Sequence, residues 1–124
     1  MSTNATIESV RTSVLIVDDH ARFRTSARRL LELEGYDVVG EAGDGATALT
    51  AAADLQPDVV LLDVNLPDAT GFEVADRLRD SGARIVLTSD RDASEVAPFA
   101  EDAGALGFVP KGSLSGAELA RLLG

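Results

Sequence analysis

Cysteine is absent from this 124-residue chain and histidine occurs once, at position 20. The first absence removes disulfides and thiolate metal centres. The second leaves too few imidazoles for a histidine-rich zinc site. Aromatic residues are scarce at 4%, which leaves little to stack on a flavin. No apolar run approaches the roughly 18 residues that a membrane-spanning helix needs. Positive charge is short too: 11 Lys and Arg stand against 21 Asp and Glu, for a formal net charge of −10. That balance disfavours contact with nucleic acid or an anionic membrane and suits cations and basic partners. Among the basic residues only Lys111 is lysine; the others are all arginine. Met1 to Thr12 is polar and lacks the apolar stretch of a signal peptide, so residues 1–12 read as a loose tail on a cytoplasmic protein.

What is present suffices for one domain over 13–124. A hydrophobic fraction of 45% is ordinary for a globular chain, and this length builds a single core without staples. There is no internal repeat. Short β-rich runs alternate with helical stretches instead. Ser13 to Val17 is a β-branched apolar run ending in Asp18 and Asp19. Phe23, Ala27, Leu30 and Leu31 follow at helical spacing, and Gly35 supplies a left-handed stop. Tyr36 to Glu41 reads as a second strand, and Ala48, Leu49, Ala52 and Leu55 mark a helix that closes before Pro57. Val59 to Leu62 is aliphatic throughout, as a central strand covered on both faces would be, and it ends in Asp63. Phe72, Ala75 and Leu78 share a helical face; Ile85 to Leu87 makes a fourth strand ending at Thr88. A helix is expected over Asp92 to Ala103, with Pro98 near its first turn. Leu106 to Pro110 gives a fifth strand before Lys111, and Ser113 or Ser115 caps a short last helix.

Strand followed by helix, five times over, predicts an α/β three-layer sandwich with a parallel sheet between helices. The flavodoxin-like (βα)5 order 2-1-3-4-5 is the natural choice for five strands. In such sheets ligands bind beyond the carboxyl ends of the strands, at the switch point between strands one and three. Four strand ends deliver polar groups there: Asp18 and Asp19, Asp63, Thr88, and Lys111. Three carboxylates in one crevice repel unless a cation joins them. Few ligands, all hard oxygens, favour Mg²⁺ that keeps several waters. With an ammonium alongside, the crevice attracts a phosphoryl group, and Asp63 can serve as the carboxylate nucleophile.

Singly, each residue has a plainer reading. An acidic pair after a strand usually caps a helix, Asp63 could cap the next segment, Thr88 could bond at a strand end, and Lys111 could be solvated. Their joint occurrence on four strand ends outweighs those readings. The lone lysine adds modestly, because a compact ammonium fits between carboxylate and phosphate where a planar guanidinium would not.

The stretches VLIVDDHARFR, PDVVLLDVNLPDATGFE, RIVLTSD and GALGFVPKGSL resemble the response-regulator receiver family across nearly the whole chain. The DDH opening and PKGSL ending look most like receivers that precede a helix-turn-helix domain. The resemblance implies that Asp19, Asp63 and the backbone carbonyl of Asn65 hold Mg²⁺, with Asp18 assisting through a water. It also implies that Thr88 and Lys111 bind the phosphoryl group and that Thr88 and Phe108 form a switch pair. An ordinary core aromatic is an equal reading of Phe108. Asn65 and Asp90 stand where family members tune attack by water on the acyl phosphate. One departure is Gly112, where many relatives place proline after the lysine.

The implied partner is a sensor histidine kinase or phosphotransfer protein, with the surface of the fourth helix, fifth strand and fifth helix responding by binding a target or a second copy. Arg22, Arg24, Arg28 and Arg29 on the first helix could dock the kinase, although a solvated face with an Arg28–Glu32 pair is the plainer reading. Alternatives remain: a non-phosphorylated adaptor on the same fold, or the receiver part of a longer DNA-binding regulator. A flavodoxin would want a glycine- and hydroxyl-rich first loop, not an acidic one. A phosphatase with an aspartate nucleophile would place it after the first strand.

Overall fold

Five short β-rich runs become five strands in the computed structural model, which describes residues 11–91 and 93–124. They are β1 (Ser13–Val17), β2 (Asp37–Ala42), β3 (Val59–Asp63), β4 (Arg84–Ser89) and β5 (Gly107–Pro110). The helices are α1 (Ala21–Leu33), α2 (Gly45–Leu55), α3 (Gly71–Arg77), α4 (Ala93–Ala100) and α5 (Gly116–Leu123). All strand pairs are parallel and the order is β2-β1-β3-β4-β5, as the alternation predicts. Most of the proposed tail lies outside the described residues. No described helix is long and apolar enough to cross a membrane.

The core divides by strand parity, because successive strand residues face opposite sides. Val14, Ile16, Val59, Leu61, Val86 and Val109 meet Ala27 and Leu31 of α1 and Leu119 of α5. Leu15, Val17, Val60, Leu62, Ile85 and Leu87 meet the buried faces of α2, α3 and α4. β3 is buried along its whole length, as expected of a central strand with helices on both faces.

Helix boundaries follow local chemistry. Gly35, at φ +95°, stops α1. α2 stops at Gln56, the one described non-glycine residue with positive φ; Pro57 behind it disfavours the right-handed helical conformation there. Thr70 and Glu73 close a reciprocal capping box on α3. Ser115, rather than Ser113, caps α5 by accepting from the Glu118 N–H at 3.0 Å, since Lys111–Ser113 is a separate 3₁₀ turn. The fourth helix is shorter than expected. Ala93–Ala100 is regular and Pro98 is its sixth residue, so the proline lies past the first turn, where its missing N–H leaves the carbonyl four residues before it without that intrahelical bond. Asp92, its expected start, lies outside the described residues.

Candidate functional site

The same parity builds the crevice. Asp18, Asp63, Thr88 and Lys111 each follow by two residues a side chain on the α1/α5 side of the sheet, namely Ile16, Leu61, Val86 and Val109. Each side chain therefore continues one alternation past the packed core, toward one side of the sheet's carboxyl edge. Pairing of Asp63 with Thr88 across β3 and β4 holds two of them abreast.

Asp18 is fully buried and Asp63 is 3% exposed. The Lys111 ammonium stands 2.6 Å from Asp18 Oδ2 and 3.5 Å from Asp63 Oδ2, and 4.7 Å above the Phe23 ring. Its contact with Asp18 is a charge contact without hydrogen-bond alignment, so Oδ2 has no aligned donor. Asp18 Oδ1 accepts the His20 backbone N–H at 2.8 Å, and Asp63 Oδ1 accepts the Asn65 N–H at 3.3 Å. Burial, with Asp18 as a like charge beside it, holds the Asp63 pKa above the ordinary carboxylate value, while Lys111 opposes that shift. Burial pulls the Lys111 pKa down, but Asp18, Asp63 and Asp90 outweigh it and leave it raised. The cation therefore stays charged where two buried carboxylates need it.

Asp19 is exposed beside them. One carboxylate oxygen each from Asp18, Asp19 and Asp63, together with a His20 ring nitrogen, lie within 4.8 Å of one another. These oxygens suit a hard divalent cation such as Mg²⁺. Thr88 Oγ1 is buried and has no partner among the described residues, an orphan expected of a group meant for something bound in the crevice.

The β3–α3 loop closes over this edge. Leu66 and Ala69 are joined by a 3.2 Å backbone bond around Pro67, and Asp68 reaches across to take the Gly45 and Ala46 N–H groups at 2.7 and 3.0 Å. Those two bonds hold the Asp68 carboxyl below its ordinary pKa. Gly71 lets the loop return: a Cβ there would overlap the Asp63 carbonyl oxygen and lie 2.8 Å from Val64 Cα.

The structure brings together Asp18, Asp19, Asp63 and Lys111, with Thr88 abreast of Asp63 and Asn65 bonded to it. It places Phe108 on the other side of the sheet, half-buried against the α2–α4 core, beside Ala97, Ala100 and Leu106. Three participants escape the sequence reading. His20 belongs to the DDH motif, which gives it no role of its own, yet its Nδ1 is 3.0 Å from Asp18 and 3.1 Å from Asp19. Phe23 scans as a core residue, and Asp68 as one more loop acid. The arginine cluster on α1 divides: Arg24 and Arg28 turn inward onto Glu41 at 3.1 and 2.7 Å, while Arg22 and Arg29 stay exposed. The expected Arg28–Glu32 pair forms at 3.3 Å.

Comparison with known proteins agrees with this geometry. Residues 14–122 match the family model described as the response regulator receiver domain. The nitrate/nitrite response regulator protein NarP of Escherichia coli is 43% identical over 109 residues, which is 86% of this chain and 51% of that protein. The chain thus spans about half the length of the curated relatives it matches. Among solved structures, the signal receiver domain of the response regulator NarL from Mycobacterium tuberculosis superposes with a TM-score of 0.81 at 36% identity, covering 92% of this chain and 98% of that one. A two-component response regulator of the LuxR family from Aurantimonas sp. SI85-9A1 gives 0.80 at 38% identity, over 90% of this chain and 81% of that one. A sheet of order 2-1-3-4-5, an acidic crevice at its carboxyl edge and a family match over nearly the whole length agree: the chain belongs to the response regulator receiver family of two-component systems.

Proposed function

We propose that the chain is a phosphorylation switch whose acceptor is Asp63, supplied by a sensor histidine kinase or phosphotransfer protein. The observation that carries this reading is Lys111 between Asp18 and Asp63 in one buried cluster. Asp19, Asp63 and the Asn65 backbone carbonyl would hold Mg²⁺, with Asp18 assisting through a water; the ion when bound neutralises charge on the phosphoryl oxygens.

Asp63 acts as the nucleophile. A carboxylate oxygen attacks phosphorus, the P–N bond of the donor phosphohistidine breaks as the O–P bond forms, and the departing imidazole nitrogen takes a proton from solvent. Lys111 is placed to pair with the transferred group once Asp63 is esterified, and Thr88 donates its unpartnered hydroxyl to a phosphoryl oxygen. Hydrolysis reverses the charge state: water adds at phosphorus, inorganic phosphate leaves, and the Asp63 carboxylate returns. Asn65 and Asp90, both exposed at the rim, set how readily water reaches it.

The response lies beyond the site. Movement of Thr88 toward the phosphoryl group, with inward turning of half-buried Phe108, would alter the α4-β5-α5 surface. That surface then binds a target or a second copy. Exposed Arg22 and Arg29 on α1 are the arginines left to meet the kinase. We place the switch in the cytoplasm, as the receiver part of a regulator of the kind its relatives represent.

The test is intact mass after incubation with acetyl phosphate, with and without Mg²⁺, for wild type and Asp63→Asn. A magnesium-dependent gain of one phosphoryl group, absent in the variant, is the expected result. No gain in a folded wild type, from acetyl phosphate or from a phosphorylated histidine-containing donor domain, would favour the adaptor reading.

A further inference from the structure

Arg24 carries an interaction that the phosphoacceptor reading does not use. Its Nη1 donates to the backbone carbonyl of Asp18 at 2.6 Å, while its Nε donates to Glu41 Oε1 at 3.1 Å. The carbonyl it holds belongs to the peptide joining Asp18 to Asp19. Asp18 has other anchors: its N–H donates to the Ala42 carbonyl at 3.0 Å, and its carboxylate takes the His20 N–H and faces Lys111. Among the described residues, the Asp19 side chain has only a 3.1 Å contact with the exposed His20 ring. Arg24 is thus the side chain, among the described contacts, that fixes the plane from which Asp19 departs.

A guanidinium is not at ease there. Arg24 sits near the start of α1, the positive end of the helix dipole, and the first turn of α1 contains no acidic residue. Glu41 offsets this, and it faces α1 only because β2 contains a bulge. Val14 pairs with Val38, but Leu15 pairs with Gly40, leaving Val39 as the extra residue. Beyond that shift every side chain changes face: Gly40 meets Leu55 of α2, Ala42 joins the α2–α4 core, and Glu41, abreast of Ile16, turns to α1. Arg28 grips the other Glu41 oxygen at 2.7 Å and the Val38 carbonyl at 3.3 Å, so the carboxylate is held from two sides.

We propose that Arg24, braced by Glu41 across the bulge of β2, is a positioning residue that presents the Asp18–Asp19 loop for divalent-cation binding. The inference rests on the magnesium reading above. Its logic runs against simple charge. A cation near the crevice repels Mg²⁺, so deleting Arg24 for its charge alone would tighten Mg²⁺ binding. Deleting it as a brace would weaken binding, because Asp19 loses its fixed departure angle.

The measurement is calorimetric titration of the full chain with MgCl₂, alongside thermal unfolding without metal. Arg24→Met is expected to weaken Mg²⁺ binding about tenfold, the low end for groups that orient metal ligands. Arg24→Lys keeps the charge but cannot bridge both partners, and it weakens binding in the same direction, as does Glu41→Gln. Arg28→Met is the control: it loses contacts to the same Glu41, lowers the unfolding midpoint, and leaves Mg²⁺ affinity within about twofold. Affinity in Arg24→Met that is unchanged or tighter overturns the proposal, as does an equal loss in Arg28→Met. Should Arg24→Met fail to fold, Arg24→Lys and Glu41→Gln decide it. A wild type that takes no Mg²⁺ would instead refute the magnesium reading, and this inference with it.

Discussion

Replacing Lys111 with methionine removes the cation that separates two buried carboxylates while keeping a long apolar stem against Phe23. The side chains involved are 10% exposed for Lys111, 0% for Asp18 and 4% for Asp63. Removing one partner of a buried ion pair typically costs about 3–5 kcal/mol. The lower figure applies here, because Asp63 can escape by protonation and its pKa is already raised by burial and by Asp18. A loss of about 3 kcal/mol is a large share of the roughly 5–15 kcal/mol that holds a domain together. At about 4 °C per kcal/mol it lowers the unfolding midpoint by roughly 12 °C. The pH dependence follows from the sign of the Asp63 shift. A carboxyl with a raised native pKa binds its proton more tightly folded than unfolded, so its effect on stability falls as pH rises from the unfolded value of about 3.9 through the native one. Losing Lys111 raises the native value further and extends that window upward. In metal-free buffer the variant is therefore expected to show its full deficit near pH 8 and a smaller one near pH 5. Added Mg²⁺ at pH 8 should narrow the deficit by binding the native state. Urea unfolding followed by circular dichroism at both pH values measures this. A variant as stable as wild type at pH 8 without metal would refute the claim that Lys111 compensates the two acids.

Three further substitutions probe the same edge of the sheet. Thr88→Val keeps the shape and removes a buried hydroxyl without a partner, so it should stabilise the metal-free protein by about 1 kcal/mol while slowing phosphate acceptance from acetyl phosphate; destabilisation in the urea titration would mean the hydroxyl is already bonded. Gly71→Ala forces a Cβ onto the backbone of Asp63 and Val64, with an expected loss above about 3 kcal/mol. Gly112→Ala, with nothing within 4 Å of its Cβ position, should stay within about 0.5 kcal/mol of wild type; equal effects at both positions would remove the reason given for Gly71.

The strands and the residues at their ends were legible because one rule governs both. Four of the five runs are aliphatic enough to be found by pattern alone, and each polar residue that terminates a run sits where a parallel sheet opens to solvent. Asp18, Asp63, Thr88 and Lys111 are read from position in the alternation, which needs no knowledge of tertiary contacts. Lengths and caps were less legible. Gln56 adopts its left-handed turn because of the proline after it, and α4 gives way after Ala100 to turns that close at left-handed Gly104, φ +84°. Both follow from known preferences whose outcome depends on how the neighbouring chain packs.

Contacts between elements were the least legible, and β2 shows why. Read as a regular strand, Asp37–Ala42 sends Val38, Gly40 and Ala42 to one side and Val39 and Glu41 to the other. On that reading Glu41 faces α2, and the four arginines of α1 look like one solvated patch. The bulge at Val39 reverses the second half of the strand. Its cause is tertiary: a side chain at position 40 would collide with Leu55, whose Cδ1 lies 2.7 Å from the Cβ position there, so the residue abreast of Leu15 must be glycine. Once the strand slips by one residue, Glu41 meets Arg24 and Arg28, and the patch divides into two anchored and two exposed arginines. Local sequence carries no mark of that slip, since Val-Val-Gly suits a regular strand as well as a bulged one. The pairing partner decides the register, and with it which arginines are free to meet another protein and which are held against the acidic loop.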